Sequence, residues 1–70
     1  HIGKHFFDFI NQYRVLKAMS ILKDQSQKNL TILEILYQVG FNSKSSFNTA
    51  FKKHSNLTPL EYRKLPFSNQ

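Results

Sequence analysis

The sequence predicts an all-α domain that folds as a bundle of three to four helices. Three observations indicate this class. Apolar residues recur at helical spacing, helix-capping residues precede three of the apolar segments, and no segment alternates apolar and polar residues as a half-buried strand would. The 70 residues, 40% of them apolar, suffice for one small domain with a modest core.

The first predicted helix is the longest. It runs from about residue 5 to residue 23, because no glycine or proline interrupts its apolar positions. It is apolar on more than one side, so we expect it to contact two partners. Asp8 is expected in its first turn, where a negative charge suits the helix dipole. A polar connector, residues 24–30, follows.

The second predicted helix begins after Thr31 and ends at Gly40. Thr31 and Glu34 have the spacing of a capping box, in which each side chain accepts a hydrogen bond from the backbone amide of the other residue. Gly40 suits the position just after a helix, since glycine adopts the left-handed conformation without strain.

The third predicted helix begins with Ser43 as its cap and extends to about His54. Only about three residues, 40–42, separate it from the second helix. This spacing is typical of a helix-turn-helix, in which one helix braces and the next lies in the major groove, as in a homeodomain. Its buried stripe is predicted to be Phe47, Ala50 and Phe51.

A fourth, short helix is predicted for residues 58–64. Thr58 and Glu61 form a second capping box, and Pro59 suits the first helical position because its ring already has the required φ angle. Pro66 prevents continuation of the helix.

The charge of the chain favours an anionic partner. Ten Lys and Arg against four Asp and Glu give a net charge of +6, which indicates nucleic acid first and an anionic membrane second. A membrane partner is not expected, because no apolar run approaches ~20 residues and the lysines are spread over all helices. The absence of cysteine excludes disulfides and fits a reducing compartment such as the cytoplasm.

Catalysis is not predicted. The sequence shows no nucleophile with a nearby base. Its four acidic residues are expected near helix starts or in the connector, so no pair of carboxylates remains for general acid–base catalysis. His1 and His5 stand four residues apart but lack a third ligand, so no metal site is expected. No cofactor is expected either.

The outer face of the third helix carries the predicted function. Its side chains are short and polar, so the backbone could approach the edges of DNA bases closely. Asn48 could pair with adenine, Lys44 could donate to guanine, and Ser45 or Thr49 could contact a base or a thymine methyl group. Without DNA, the same pattern would be a helical hairpin with a solvated polar face.

Four cationic residues are candidates for phosphate contacts. Lys52 and Lys53 are expected to bind phosphates, since they lie further along the third helix than the base-reading positions. Arg14 could contact phosphate or pair with an acid inside the fold. Arg63 could reach phosphate or the last carbonyls of its own helix.

Two segments also carry a resemblance to a known family. They are residues 39–53, V-G-F-N-S-K-S-S-F-N-T-A-F-K-K, and residues 58–63, T-P-L-E-Y-R. With them the chain resembles the AraC/XylS family of bacterial transcription regulators over about residues 5–65. The DNA-binding domain of that family has two helix-turn-helix units joined by a long helix. The resemblance implies that this chain holds the long helix and the second unit.

The same resemblance implies that the chain is part of a larger regulator. The recognition helix of the first unit would precede His1, and a sensor or receiver domain is expected further upstream. Three phenylalanines crowded near the start, Phe6, Phe7 and Phe9, would face this missing half.

Site residues follow from the resemblance position by position. The second recognition helix of the family corresponds to residues 43–53, and helix starts at Thr31 and Ser43 are expected against phosphates. Leu36 stands where the family usually has a small alanine, and Asn56 replaces the usual glycine. The base-contacting face falls on five residues: Lys44, Ser45, Ser46, Asn48 and Thr49.

The main prediction is therefore sequence-specific binding of double-stranded DNA in transcription regulation. The alternative is a helical protein-interaction or dimerisation module that does not read DNA. That module would show an exposed apolar patch on the third helix, where the sequence has polar residues.

Overall fold

The computed structural model describes residues 3–66, with side chains described from residue 5. The first helix, α1, packs against all three of the others. No strand occurs among the described residues, and the predicted all-α class is confirmed. The helices are α1 (Gly3–Lys23), α2 (Ile32–Val39), α3 (Lys44–Ser55) and α4 (Pro59–Lys64), with one 3-10 turn (Gln25–Gln27) between α1 and α2.

The beginnings of α2 and α4 are fixed by capping boxes. The Thr31 hydroxyl accepts from the Glu34 amide at 3.0 Å, and the Glu34 carboxylate accepts from the Thr31 amide at 2.8 Å. Thr58 and Glu61 repeat this geometry. The hydrogen bond from Thr58 lowers the pKa of Glu61 below its usual 4.5. This contribution to folding is therefore present above pH 4.5 and is lost as the pH falls through the lowered pKa.

The ends of α2 and α3 both use the left-handed conformation. Gly40 has a φ of 111° and Asn56 a φ of 65°. Asn56 also donates its amide to the Lys52 carbonyl at 2.8 Å. Asparagine tolerates this conformation better than most residues with a side chain, which explains how it serves where the resembled family has glycine.

The core lies where the second half of α1 meets the other helices. A series of aromatic rings runs through it from Phe41 to Phe47, Phe51 and Tyr62, with successive centroids 5.2, 5.6 and 5.6 Å apart. Aromatic pairs at these distances add to the stabilisation from burial alone. The buried apolar residues are Val15, Ala18, Leu22, Ile35, Leu36, Val39, Phe41, Phe47, Ala50 and Phe51.

The start of α1 differs from the prediction. The helix begins at Gly3, two residues earlier than expected, so Asp8 lies beyond the first turn and the prediction for Asp8 was wrong. No acidic residue occupies the first turn. Asp8 instead forms an ion pair with Lys53 of α3 at 3.0 Å.

One side of α1 carries large apolar side chains in solvent between residues 6 and 16. Phe6, Phe9, Tyr13 and Leu16 share this side and are half or more exposed. Phe7 lies on another side of the helix and is 64% exposed. The second half contributes Val15, Ala18 and Leu22 to the core. None of the helices among residues 3–66 is long and apolar enough to cross a membrane.

Arg63 of α4 secures the connector between α1 and α2. Its guanidinium donates to the Leu30 carbonyl at 2.6 Å and to the Gln27 carbonyl at 3.3 Å. The sequence suggested the carbonyls of its own helix or a phosphate. The carbonyls that it binds belong to the connector, more than 30 residues away along the chain. Leu30 directly precedes the Thr31 cap, so Arg63 helps to fix the start of α2.

Candidate nucleic-acid interface

The helix α3 has two sharply different faces. Phe47 and Phe51 are fully buried, and Ala50 is 6% exposed. The remaining side of the helix is solvent-exposed and carries Lys44, Ser45, Ser46, Asn48, Thr49, Lys52 and Lys53. All five residues predicted to contact bases are therefore accessible on one helix, and none is covered by another described element.

Most of this exposed face makes no polar contact within the described chain. Lys44, Ser45, Asn48 and Thr49 take part in none of its side-chain hydrogen bonds or ion pairs. Their donors and acceptors are thus available to an external partner. Ser46 is the exception among the five, because its hydroxyl accepts from the Ser43 hydroxyl at 3.2 Å.

The start of α3 is set by Ser43. Its hydroxyl accepts a hydrogen bond from the Ser46 amide at 3.2 Å, which satisfies one of the free amides of the first turn. The first turn carries no acidic residue. The partial positive charge of this helix end is therefore not neutralised locally, and this suits an anionic partner.

The turn between α2 and α3 is held from both sides. The Phe41 amide donates to the Leu36 carbonyl at 2.8 Å, and the Phe41 ring is 5% exposed. The Arg14 guanidinium lies over that ring, 5.7 Å from its centroid. The φ angle of 111° favours glycine at position 40, and a Cβ there would also lie 2.9 Å from Arg14 Nε, so the arginine side chain would have to shift.

Phe41 is a structural anchor to which the sequence analysis gave no role. Its ring packs on Phe47 and under Arg14, so it connects the turn to both α3 and α1. One signal in the sequence could have identified it. An apolar residue directly after a left-handed helix-ending glycine commonly packs back onto the preceding helix.

The residues predicted to contact phosphates occupy different environments. Arg14 stacks on Phe41 and makes none of the ion pairs with acids among the described residues. Lys52 is exposed near the end of α3, and Lys53 is exposed but paired with Asp8. Thr31 is exposed, but its hydroxyl and amide are occupied by Glu34. The phosphate contact of each remains a prediction.

A cleft of about 360 Å³ separates the start of α1 from α3. Asp8 and Asn11 line it from α1, while Ser45, Thr49 and Lys53 are among the residues that line it from α3. Three of the predicted base-contact residues, Ser45, Ser46 and Thr49, thus line the same cleft as the Asp8 carboxylate. Nothing in the sequence pattern indicated this, because the two sides of the cleft are far apart along the chain.

A comparison with known protein families agrees with this arrangement. Residues 1–65 match a family described as a helix-turn-helix domain. The match covers all of the described residues except Pro66. No solved structure matches the chain significantly.

Several bacterial regulators are similar to the chain in sequence. An uncharacterized response regulatory protein of Staphylococcus epidermidis is 38% identical over 93% of this chain and 24% of its own length. The uncharacterized HTH-type transcriptional regulator YdeC of Bacillus subtilis is 40% identical over 81% of the chain and 19% of its own. The probable transcription factor PqrA of Proteus vulgaris is 34% identical over 90% and 56%. The chain therefore spans between a fifth and just over half the length of these relatives.

Proposed function

The chain belongs to the family of AraC-type helix-turn-helix domains, which are DNA-binding modules of transcription regulators, and from that premise we propose that it binds duplex DNA sequence-specifically with α3 in the major groove. The observation that carries this proposal is the division of α3 into two faces. The aromatic face is anchored in the core, and the opposite face presents small polar side chains with unused hydrogen-bonding groups.

Base reading is assigned to the exposed residues of α3. Asn48 would form paired hydrogen bonds with an adenine, and Lys44 would donate to a guanine. Ser45 and Thr49 are short enough to let the helix backbone approach the floor of the groove, where each can contact a base or a thymine methyl group. Ser46 is assigned an edge position, since its hydroxyl is engaged by Ser43.

Phosphate contacts would supply most of the affinity. Lys52 and Lys53 lie in the last turn of α3, where they can reach the backbone of one strand, and Arg14 is proposed to act from α1. Ser43 and Thr31 would offer phosphates the amides at the starts of α3 and α2. At α2 the Glu34 carboxylate already occupies part of this end, so a phosphate there would bind the remaining amides.

The exposed apolar side of α1 is proposed to contact a further helical unit of a larger regulator. Phe9, Tyr13 and Leu16 share one side of the helix by their spacing and are 65%, 56% and 56% exposed. The relatives are longer than this chain, and one is a response regulatory protein. A second helix-turn-helix unit on this side would place two recognition helices in successive major grooves, ~34 Å apart.

The alternative of a protein-interaction module is not supported at α3. That helix contributes none of the exposed large apolar side chains found among residues 5–66. The proposed mechanism is binding of DNA, with no catalytic step.

Salt dependence tests this proposal directly. Three cations are assigned to phosphates, and each phosphate contact contributes a slope of about −0.9 to the logarithm of affinity against the logarithm of salt concentration. We expect a slope of about −2 to −3, so affinity should fall about 15- to 60-fold between about 50 and 200 mM salt. Fluorescence anisotropy with a labelled duplex measures this slope, and an affinity independent of salt would contradict the proposal.

Two substitutions on α3 separate base reading from phosphate binding. Asn48→Ala should reduce discrimination between a selected and a scrambled duplex by about tenfold, because one bidentate pair is worth about 1–3 kcal/mol. Lys52→Ala should weaken both duplexes alike and reduce the salt slope by about 0.9.

The selected duplex is obtained by enrichment from random sequences. Lys64→Ala, which removes an exposed cation from α4, is the control for Lys52→Ala. Equal losses on both duplexes for Asn48→Ala would remove Asn48 from the base-reading set.

A further inference from the structure

The ion pair between Asp8 and Lys53 connects α1 to α3 across the cleft beside the proposed DNA-binding face. The Lys53 Nζ and Asp8 Oδ1 atoms are 3.0 Å apart, and the two side chains are 57% and 45% exposed. The residues are 45 positions apart along the chain. The contact is therefore a tertiary feature, and both partners remain accessible to solvent and to a ligand.

Asp8 differs from the other acids in its role. The chain has four acidic residues, and the other three serve local caps. Asp24 accepts from the Ser26 amide at the start of the 3-10 turn, while Glu34 and Glu61 close the capping boxes of α2 and α4. Asp8 lies inside α1, beyond its first turn, and reaches across to another helix.

The position of Asp8 gives its charge a consequence for DNA binding. Asp8 lines the same cleft as Ser45 and Thr49, both assigned to base reading. The other charged side chains on the exposed face of α3 are the cations Lys44 and Lys52. The Asp8 carboxylate thus lies at the edge of a surface that is otherwise neutral or positive. It lies 3.0 Å from Lys53, well within the Debye length of about 10 Å at 0.1 M salt, so salt does not fully screen it from a phosphate bound there.

We propose that Asp8 is an internal competitor of DNA phosphate for Lys53, and that it lowers the affinity of the chain for DNA of any sequence. This inference rests on the proposed DNA-binding function. An exposed ion pair of this kind is weak, so a phosphate can displace the carboxylate. After displacement the Asp8 carboxylate still lowers the affinity for DNA, because its negative charge stays beside the phosphate and repels it.

The substitution Asp8→Asn tests the inference on the 70-residue chain. Removing the carboxylate leaves Lys53 free to neutralise a phosphate. We expect the salt slope to become steeper by up to about 0.9. Affinity for a scrambled duplex at low salt should rise about fivefold, the order of effect of one exposed ion pair. Discrimination between selected and scrambled duplexes should not change.

Three further variants identify the cause of any change. Asp24→Asn alters the net charge by the same amount in the connector, and it should shift the affinity much less. Lys53→Gln should weaken binding, and Asp8→Asn added to it should have little further effect on the slope. Asp8→Ser provides a second replacement if the melting temperature of Asp8→Asn, measured by circular dichroism, shows a loss of folding.

The possible outcomes separate this inference from the proposed function. If the DNA affinity of the wild-type chain did not depend on salt, both the DNA-binding proposal and the Asp8 inference would be overturned. A normal wild-type slope together with an unchanged slope for Asp8→Asn would overturn the Asp8 inference alone. Weaker binding by Asp8→Asn would also overturn it, because it would mean that Asp8 holds Lys53 in the position that phosphate requires.

Discussion

Replacing Phe51 with alanine is expected to lower the free energy of unfolding by about 3–5 kcal/mol. The Phe51 side chain is fully buried, and its ring contacts those of Phe47 and Tyr62. A domain of 70 residues has a total stability of about 4–10 kcal/mol. The substitution should therefore unfold a large share of the molecules at room temperature, as measured by urea denaturation followed by circular dichroism.

An exposed phenylalanine provides the matched control. Phe7→Ala removes the same atoms from a side chain that is 64% exposed, so its effect should lie within about 0.5 kcal/mol. Equal losses of stability for the two variants would show that Phe51 does not hold α3 in the core.

Replacing Ser45 with glutamate is expected to reduce DNA affinity about 100-fold at low salt. Ser45 lies at the centre of the exposed face of α3, opposite the buried stripe. A carboxylate there would face the phosphates and the acceptor-rich groove, and like charges brought together at an interface cost several kcal/mol. Folding should not suffer, because a negative charge in the first turn of a helix is favourable.

Ser20→Glu is the control for the change in charge. Ser20 is an exposed serine on α1 outside the proposed interface, so its replacement should lower affinity by much less. Both variants are compared by anisotropy titration at low and high salt. If Ser45→Glu bound DNA as tightly as Ser20→Glu, the assignment of this face to DNA would be wrong.

The sequence predicts the helix ends well where they depend on local chemistry. The caps at Thr31, Ser43 and Thr58, and the left-handed residues Gly40 and Asn56, each act within about four residues of their own position. In the structure the three caps form hydrogen bonds to backbone amides, and the two left-handed residues have positive φ angles. The buried stripe of α3 follows from helical periodicity alone, and the stripe predicted there is the buried stripe observed.

The features that the sequence does not predict depend on contacts between distant residues. Asp8 and Lys53 are 45 positions apart, so no local pattern in the sequence indicates their ion pair. Arg63 binds carbonyls of the connector rather than those of its own helix. The stacking of Arg14 on Phe41 depends on how α1 crosses the turn. Since Lys53, Arg63 and Arg14 have long and flexible side chains, their partners are decided only when the helices pack.

The separation of α3 into a buried face and an exposed face has a consequence for how such a regulator can evolve. Ser45, Asn48 and Thr49 take no part in the core or in the caps, so exchanging them should cost little folding free energy. Under the proposed function, new operator preferences would arise by exchange of a few surface residues while the fold stays intact. Families of regulators with many different targets can in this way descend from one fold.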